Sequence, residues 1–95
     1  MKKINIIDKV SDTITNSAGL SFYVELEPFI RDNIKVTVSL KDIAPMSSSF
    51  LNSSIGELID KYGYKKVAEL LTFSNVSKFN ANTIKKYFQA LKDYA

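Results

Sequence analysis

The chain contains neither cysteine nor histidine. The first absence removes disulfides, thiolate nucleophiles and cysteine-based metal sites, and nothing points to a secretory route. The second removes the commonest general base and the commonest metal ligand. An enzyme built from this sequence would have to work with carboxylates, lysines, serines and tyrosines, so a non-enzymatic protein without a cofactor is the expectation. No apolar run approaches the length needed to span a bilayer. Met1-Lys2-Lys3 precedes only a short apolar stretch, Ile4 to Ile7, interrupted by Asn5 and ended by Asp8, which is too short for a signal peptide. A cytoplasmic, soluble protein with no membrane partner is expected.

A dense block of one charge is also missing. Thirteen basic and ten acidic residues leave a formal charge of +3, scattered along the chain. The closest approaches to a basic patch, Lys65-Lys66 and Lys85-Lys86, fall in separate segments, so nucleic-acid binding is not the expected function. What is present is ordinary globular composition, 45% hydrophobic and 24% charged over 95 residues, which is enough for one core and one domain over residues 1–95.

Short-range patterns divide that domain into alternating elements. Lys2 to Ile7 is rich in β-branched residues and reads as a strand. Asp8 to Gly19 fills with Ser, Thr, Asn and Asp and reads as a loop with Gly19 as a hinge. Leu20, Tyr23, Val24, Leu26, Phe29 and Ile30 suit a helix capped by Ser21, with Pro28 forcing a kink or an ending near Arg31 to Asn33. Ile34 to Leu40 alternates apolar and polar residues and is the clearest strand, its apolar face being Ile34, Val36, Val38 and Leu40. Leu51, Ile55, Leu58, Ile59 and Tyr62 then share a helical face that Gly63 ends. A short helical turn from Tyr64 leads to a strand over Leu70 to Ser74. A last amphipathic helix, capped at Asn80 or Asn82, aligns Ile84, Tyr87, Phe88, Leu91 and Ala95. Strand and helix alternate three times, which implies an α/β fold, a small and mostly parallel sheet flanked by helices.

The stretch Met46-Ser47-Ser48-Ser49-Phe50-Leu51-Asn52 joins the second strand to the second helix, at the carboxyl edge of the sheet where ligands and partners gather in such folds. Hydroxyls at a helix start can cap free backbone N–H groups. They can also accept phosphate, because the helix terminus favours negative charge. Both roles are open to this run, and one serine can cap while its neighbour points outward.

Val36 to Leu51, continued by Ile55-Gly56-Glu57-Leu58 and by Phe73-Ser74-Asn75, resembles the bacterial STAS-like domains of unknown function, distant relatives of the anti-sigma factor antagonists. The resemblance implies a STAS-like fold and a regulatory protein-binding role. In the antagonists the junction reads Met-Asp-Ser-Ser-Gly-Leu, so Ser48 takes the phosphoacceptor place, Ser47 stands for the aspartate and Phe50 for the glycine. The resemblance implies a protein partner of the histidine-kinase-type ATPase or anti-sigma factor class, bound through Ser47, Ser48, Ser49, Phe50, Asn52 and Glu57. The alternative is a small phosphoacceptor or enzyme that uses a divalent metal held by Asp8 and Asp42, two carboxylates placed after the first two strands.

Overall fold

A computed structural model describes residues 2–92 of the chain. The first strand, β1 (Lys2–Asn5), ends two residues earlier than its β-branched run suggests. Ile6 is fully buried, and Ile6–Asp8 form a 3-10 turn that carries the chain off the sheet. The polar segment expected to be a loop instead starts a helix, α1 (Asn16–Arg31). The Thr15 hydroxyl, not that of Ser21, caps it by accepting the Ala18 N–H at 3.1 Å. Asp12 accepts the Ile14 and Thr15 N–H groups at 2.9 and 2.8 Å just before that cap. Ser21 lies inside the helix and donates back to the Ser17 carbonyl at 3.3 Å.

Gly19 is therefore no hinge. It sits within α1 where the helix presses on the segment after Ser47, and an added Cβ would lie 2.5 Å from the Phe50 carbonyl oxygen. The buried face of α1 is Ala18, Gly19, Phe22, Leu26 and Ile30. Leu20 and Val24, expected on that face, are instead 56% and 61% exposed. Pro28 is accommodated in the last turn, and the helix ends at Arg31 as expected, with Asn33 in the left-handed region at φ 59°.

The second strand, β2 (Val36–Ser39), buries Val36 and Val38, and Leu40 just beyond it is buried too; Ile34 falls before the strand and is 41% exposed. The third, β3 (Leu71–Ser74), follows a short helix as the sequence implies. The order is β1-β2-β3 and both pairings are parallel, with Ile4 opposite Val38 and Val38 opposite Phe73. That row, with Val36 and Leu71, faces the helices and forms the sheet side of the core. The other face carries Lys3, Asn5, Thr37, Ser39, Thr72 and Ser74. A parallel sheet is usually covered on both faces; here the helices lie against one, and alternation replaces the continuous apolar runs that two-sided burial would need.

Between β2 and β3 a single helical path is divided in two places. It begins as α2 (Ser48–Leu51), passes through a π-helical turn (Asn52–Gly56) and continues as α3 (Glu57–Tyr62). Gly63, at φ 90°, breaks it and starts α4 (Tyr64–Leu70). Leu51, Ile55, Leu58 and Ile59 are buried as their spacing requires, each fully buried side chain contributing about 1.5–3 kcal/mol. The last helix, α5 (Lys78–Lys92), is capped by Ser77, whose hydroxyl accepts the Asn80 N–H at 3.1 Å. Asn80 is buried instead of capping, and donates to the Ile43 carbonyl at 3.4 Å. Phe88 of α5 meets Tyr64 and Phe73 edge-on. Ala95, aligned with this face by periodicity, lies outside the described residues.

Candidate functional site

The loops that follow β1 and β2 meet at the carboxyl edge of the sheet, and Ser47 joins them. Its N–H donates to the Thr13 carbonyl at 3.0 Å and its hydroxyl donates to the Ile14 carbonyl at 2.6 Å. The same hydroxyl oxygen accepts the Phe50 N–H at 3.0 Å, which makes Ser47 the N-cap of α2. Thr13, itself buried, donates to the carbonyl of Ala44 or Pro45 from the other side. The capping role is therefore filled by Ser47, which leaves Ser48 and Ser49 exposed on the first turn.

Phe50 cannot serve as an exposed contact. It is fully buried and stacks on Phe22 of α1 with ring centroids 5.7 Å apart. Its ring thus becomes the core contact beneath the serine junction. Gly19 supplies the clearance by which α1 reaches this level, as its Cα lies against the Phe50 carbonyl.

Asn52 is exposed, yet its side chain is held: the Tyr87 hydroxyl on α5 donates to Oδ1 at 2.8 Å. Gly56 leaves room for that tyrosine, since a Cβ there would come within 2.5 Å of the hydroxyl. Burial, and secondarily the Glu57 carboxylate, push the Tyr87 hydroxyl up to about 12. In the π-helical turn Ser54 is fully buried and donates to the Phe50 carbonyl at 2.8 Å, while Ser53 donates to Asn16 of α1 at 3.3 Å.

Glu57 lies on the rim of an open cavity of about 490 Å³ between α1 and the π-helical turn, lined also by Asn16, Ser17, Leu20, Tyr23 and Ser53. Asn16 and Ser17 fall in the polar stretch that reads as a loop, Leu20 and Tyr23 read as core positions of the helix, and only the packing of α1 against the π-helical turn brings them together with Ser53. Near Tyr23, Glu27 accepts a hydrogen bond from Tyr62 and lies 3.7 Å from Lys61 and 3.6 Å from Arg31. The Tyr62 hydrogen bond first, and then the two cations, hold the Glu27 carboxyl below its ordinary value. The Tyr62 hydroxyl is raised in turn.

Of the six residues expected to meet a partner, the fold thus presents Ser48, Ser49 and Glu57 freely, engages Ser47 and Asn52 locally, and buries Phe50. Asp8 and Asp42 are both exposed, Asp42 at φ 60° in the turn after Leu40. Asp42 shares a cleft of about 290 Å³ with Asp12, whose carboxylate is already committed to the backbone of Ile14 and Thr15. Those backbone donors hold the Asp12 carboxyl below its ordinary value. Among the described residues no three carboxylates gather where they could hold a metal ion, and no helix is long and apolar enough to cross a membrane.

Comparison with known families gives a match over residues 18–80 to the STAS-like domain of unknown function (DUF4325). The matched region opens within α1, and includes β2, the serine junction and β3. No curated protein and no solved structure matches.

Proposed function

The chain belongs to this family of STAS-like domains of unknown function, and from that membership we propose that it is a non-enzymatic regulatory module that docks a protein partner. The observation that carries the reading is the exposure of Ser48 and Ser49 on a turn held rigid by Ser47, beside the cavity that Leu20, Tyr23 and Glu57 line. Ser53, one turn beyond Ser49, continues the surface into that cavity and ties it to α1 through Asn16. A surface anchored at both ends in this way loses little freedom on binding.

Ser48 is the modification point of the proposed switch. A phosphate there adds about −1.5 to −2 charge on the first turn of a helix, where negative charge is favoured, so the partner surface changes while the fold stays intact. The partner class is a histidine-kinase-type ATPase or anti-sigma factor, carried over from the antagonists' junction, with Ser48 in the phosphoacceptor place. The departures from that junction act locally: Ser47 caps in place of the aspartate, and Phe50 fills the core where the antagonists have glycine.

The test uses immobilised wild-type chain in lysate of its source organism, with captured proteins identified and their affinities measured. Wild type is expected to retain an ATPase of this class, with Ser48→Asp and Glu57→Lys each weakening it about tenfold, equivalent to about 1.4 kcal/mol. If both variants fold and bind every captured protein as wild type does, this surface is not the docking site.

A further inference from the structure

The outer face of the sheet, turned away from the helices, is a second surface that does not depend on the docking reading. Its polar side chains stand in two rows set by the strand register. Lys3, Thr37 and Thr72 lie side by side across the strands, and Asn5, Ser39 and Ser74 form the next row toward the carboxyl ends. Neighbouring strands lie about 4.8 Å apart and successive outward positions about 6.6 Å along each strand, so the rows make a compact grid. Not one of these residues is acidic or aromatic. The grid holds a depression of about 310 Å³, lined by all of them but Thr72 and completed by Ile4 and Asn75.

The hydrogen bonds already made on this face identify what it can still bind. The Thr37 and Thr72 hydroxyls bond to each other at 2.9 Å. The Ser39 hydroxyl oxygen accepts the Asn75 amide at 2.9 Å and the Lys41 N–H at 3.4 Å. Both of its lone pairs are then engaged, and its hydrogen is left to donate. Asn75, in the left-handed region at φ 52° just past β3, holds it that way. Among the described residues the Ser39 hydrogen has no acceptor, and the side chains of Lys3, Asn5 and Ser74 have no partner. The depression therefore presents an ammonium, an amide and two hydroxyls with donors to spare, and no carboxylate lines it to compete for them. That set matches oxygens that only accept and that carry negative charge. A nucleobase would need an aromatic ring to stack on, and the lining has none. A carboxylate, with two oxygens, can satisfy one row. A tetrahedral oxyanion can turn one oxygen toward Lys3 and others toward Ser39 and Ser74 in the second row.

We infer that the uncovered sheet face binds phosphate, as the free ion or as the end of a phosphate monoester. Lys3 supplies the charge, and Ser39, Ser74 and Asn5 supply the directed donors. With a single lysine in an open depression the affinity belongs to the ~1 mM class. Neither Ser48 nor Glu57 lines this site, so its occupation and the docking of a protein partner are separable.

Titration of the isotope-labelled chain with inorganic phosphate, followed by two-dimensional NMR at ionic strength held constant with sodium chloride, tests the inference. Saturable shifts are expected at the backbone amides of Lys3, Asn5, Ser39, Ser74 and Asn75, with a dissociation constant of ~1 mM. Lys3→Gln and Ser39→Ala should each raise that constant at least about tenfold while the rest of the spectrum stays that of wild type. Lys85→Gln, on α5, should leave it unchanged. Acetate at the same ionic strength should bind at least about tenfold more weakly than phosphate. Glycerol phosphate binding tighter than phosphate would identify the ester as the preferred form, and the reverse order the free ion, either result supporting the site. No saturation by ~50 mM phosphate, shifts spread equally over Lys65, Lys66, Lys85 and Lys86, acetate bound as tightly as phosphate, or an affinity that both variants leave intact would each overturn it.

Discussion

Replacing Gly19 with alanine sets two effects of opposite sign against each other. In an exposed helix interior the change gains about 1 kcal/mol, because glycine is the poorer helix former. At Gly19, however, the new Cβ would stand 2.5 Å from the Phe50 carbonyl oxygen and 2.8 Å from the Ser53 Cβ. An ordinary carbon–oxygen contact is about 3.3–3.6 Å, so α1 must withdraw by about 1 Å. The oxygen cannot yield instead, since it belongs to a backbone fixed by the Ser47 cap and by the Ser54 hydroxyl. Withdrawal strains the packed interface, at about 1–3 kcal/mol, and loosens the Phe22–Phe50 stack, worth about 0.5–1.5 kcal/mol. Packing outweighs propensity, and Gly19→Ala is expected to lose about 1–3 kcal/mol net. Urea unfolding followed by far-ultraviolet circular dichroism measures the difference, with Leu20→Ala, one residue on and exposed, as a reference expected within about 0.5 kcal/mol of wild type. A Gly19→Ala protein more stable than wild type would refute the close crossing of α1 over Phe50 and would return Gly19 to the status of a simple weak point in the helix.

Other perturbations separate the roles of neighbouring residues. Ser47→Ala removes the cap on Phe50 and the bond to Ile14, and should cost about 1–2 kcal/mol in the same urea assay, whereas Ser48→Ala and Ser49→Ala should stay within about 0.5 kcal/mol. Phe50→Ala should cost about 3–5 kcal/mol, so its loss of any partner would report core damage, which a thermal melt would reveal. Glu27 has a lowered carboxyl, so its contribution is present above its ordinary value of 4.5 and disappears as pH falls through the lower folded value. Acid unfolding of Glu27→Gln should accordingly show a shallower decline below pH 4.5 than wild type. Tyr87 is raised to about 12 from an ordinary 10.0, so it stabilises the fold fully below pH 10.0 and loses that effect as pH rises toward 12. Ultraviolet titration should show late-ionising tyrosines, of which the latest, near 12, disappears in Tyr87→Phe while that of Tyr62 remains.

Much of the architecture was legible because it depends on local periodicity. Alternation over Val36 to Leu40 gave β2 its buried face, and the spacing of Leu51, Ile55, Leu58 and Ile59 gave the helical path its buried side. Gly63 marked the break because only a residue without a side chain readily adopts φ 90° there. The start of α1 was not legible in the same way. Asp12, Thr15, Asn16 and Ser17 are as common in loops as at helix starts, and what decided between them was Thr15 finding the Ala18 N–H within a helix already packed on the core. A helix read from Leu20 onward leaves out Ala18 and Gly19, which with Phe22 define the buried face, so Leu20 and Val24, expected in the core, are exposed.

The serine junction divides along the same line. Sequence alone, through residue types and their order, determined that a polar turn follows β2 and starts a helix, that three hydroxyls compete for the cap, and that neither a thiol nor an imidazole is available for chemistry. Only the tertiary structure decided which serine does what, because a hydroxyl's role depends on which backbone groups lie within about 3 Å of it, and the Ile14 carbonyl that selects Ser47 lies 33 positions away in the chain. Ser47 met the Ile14 carbonyl and became part of the scaffold. Phe50 met Phe22 and became core. Ser48 and Ser49, on the solvent side of the same turn, were left exposed.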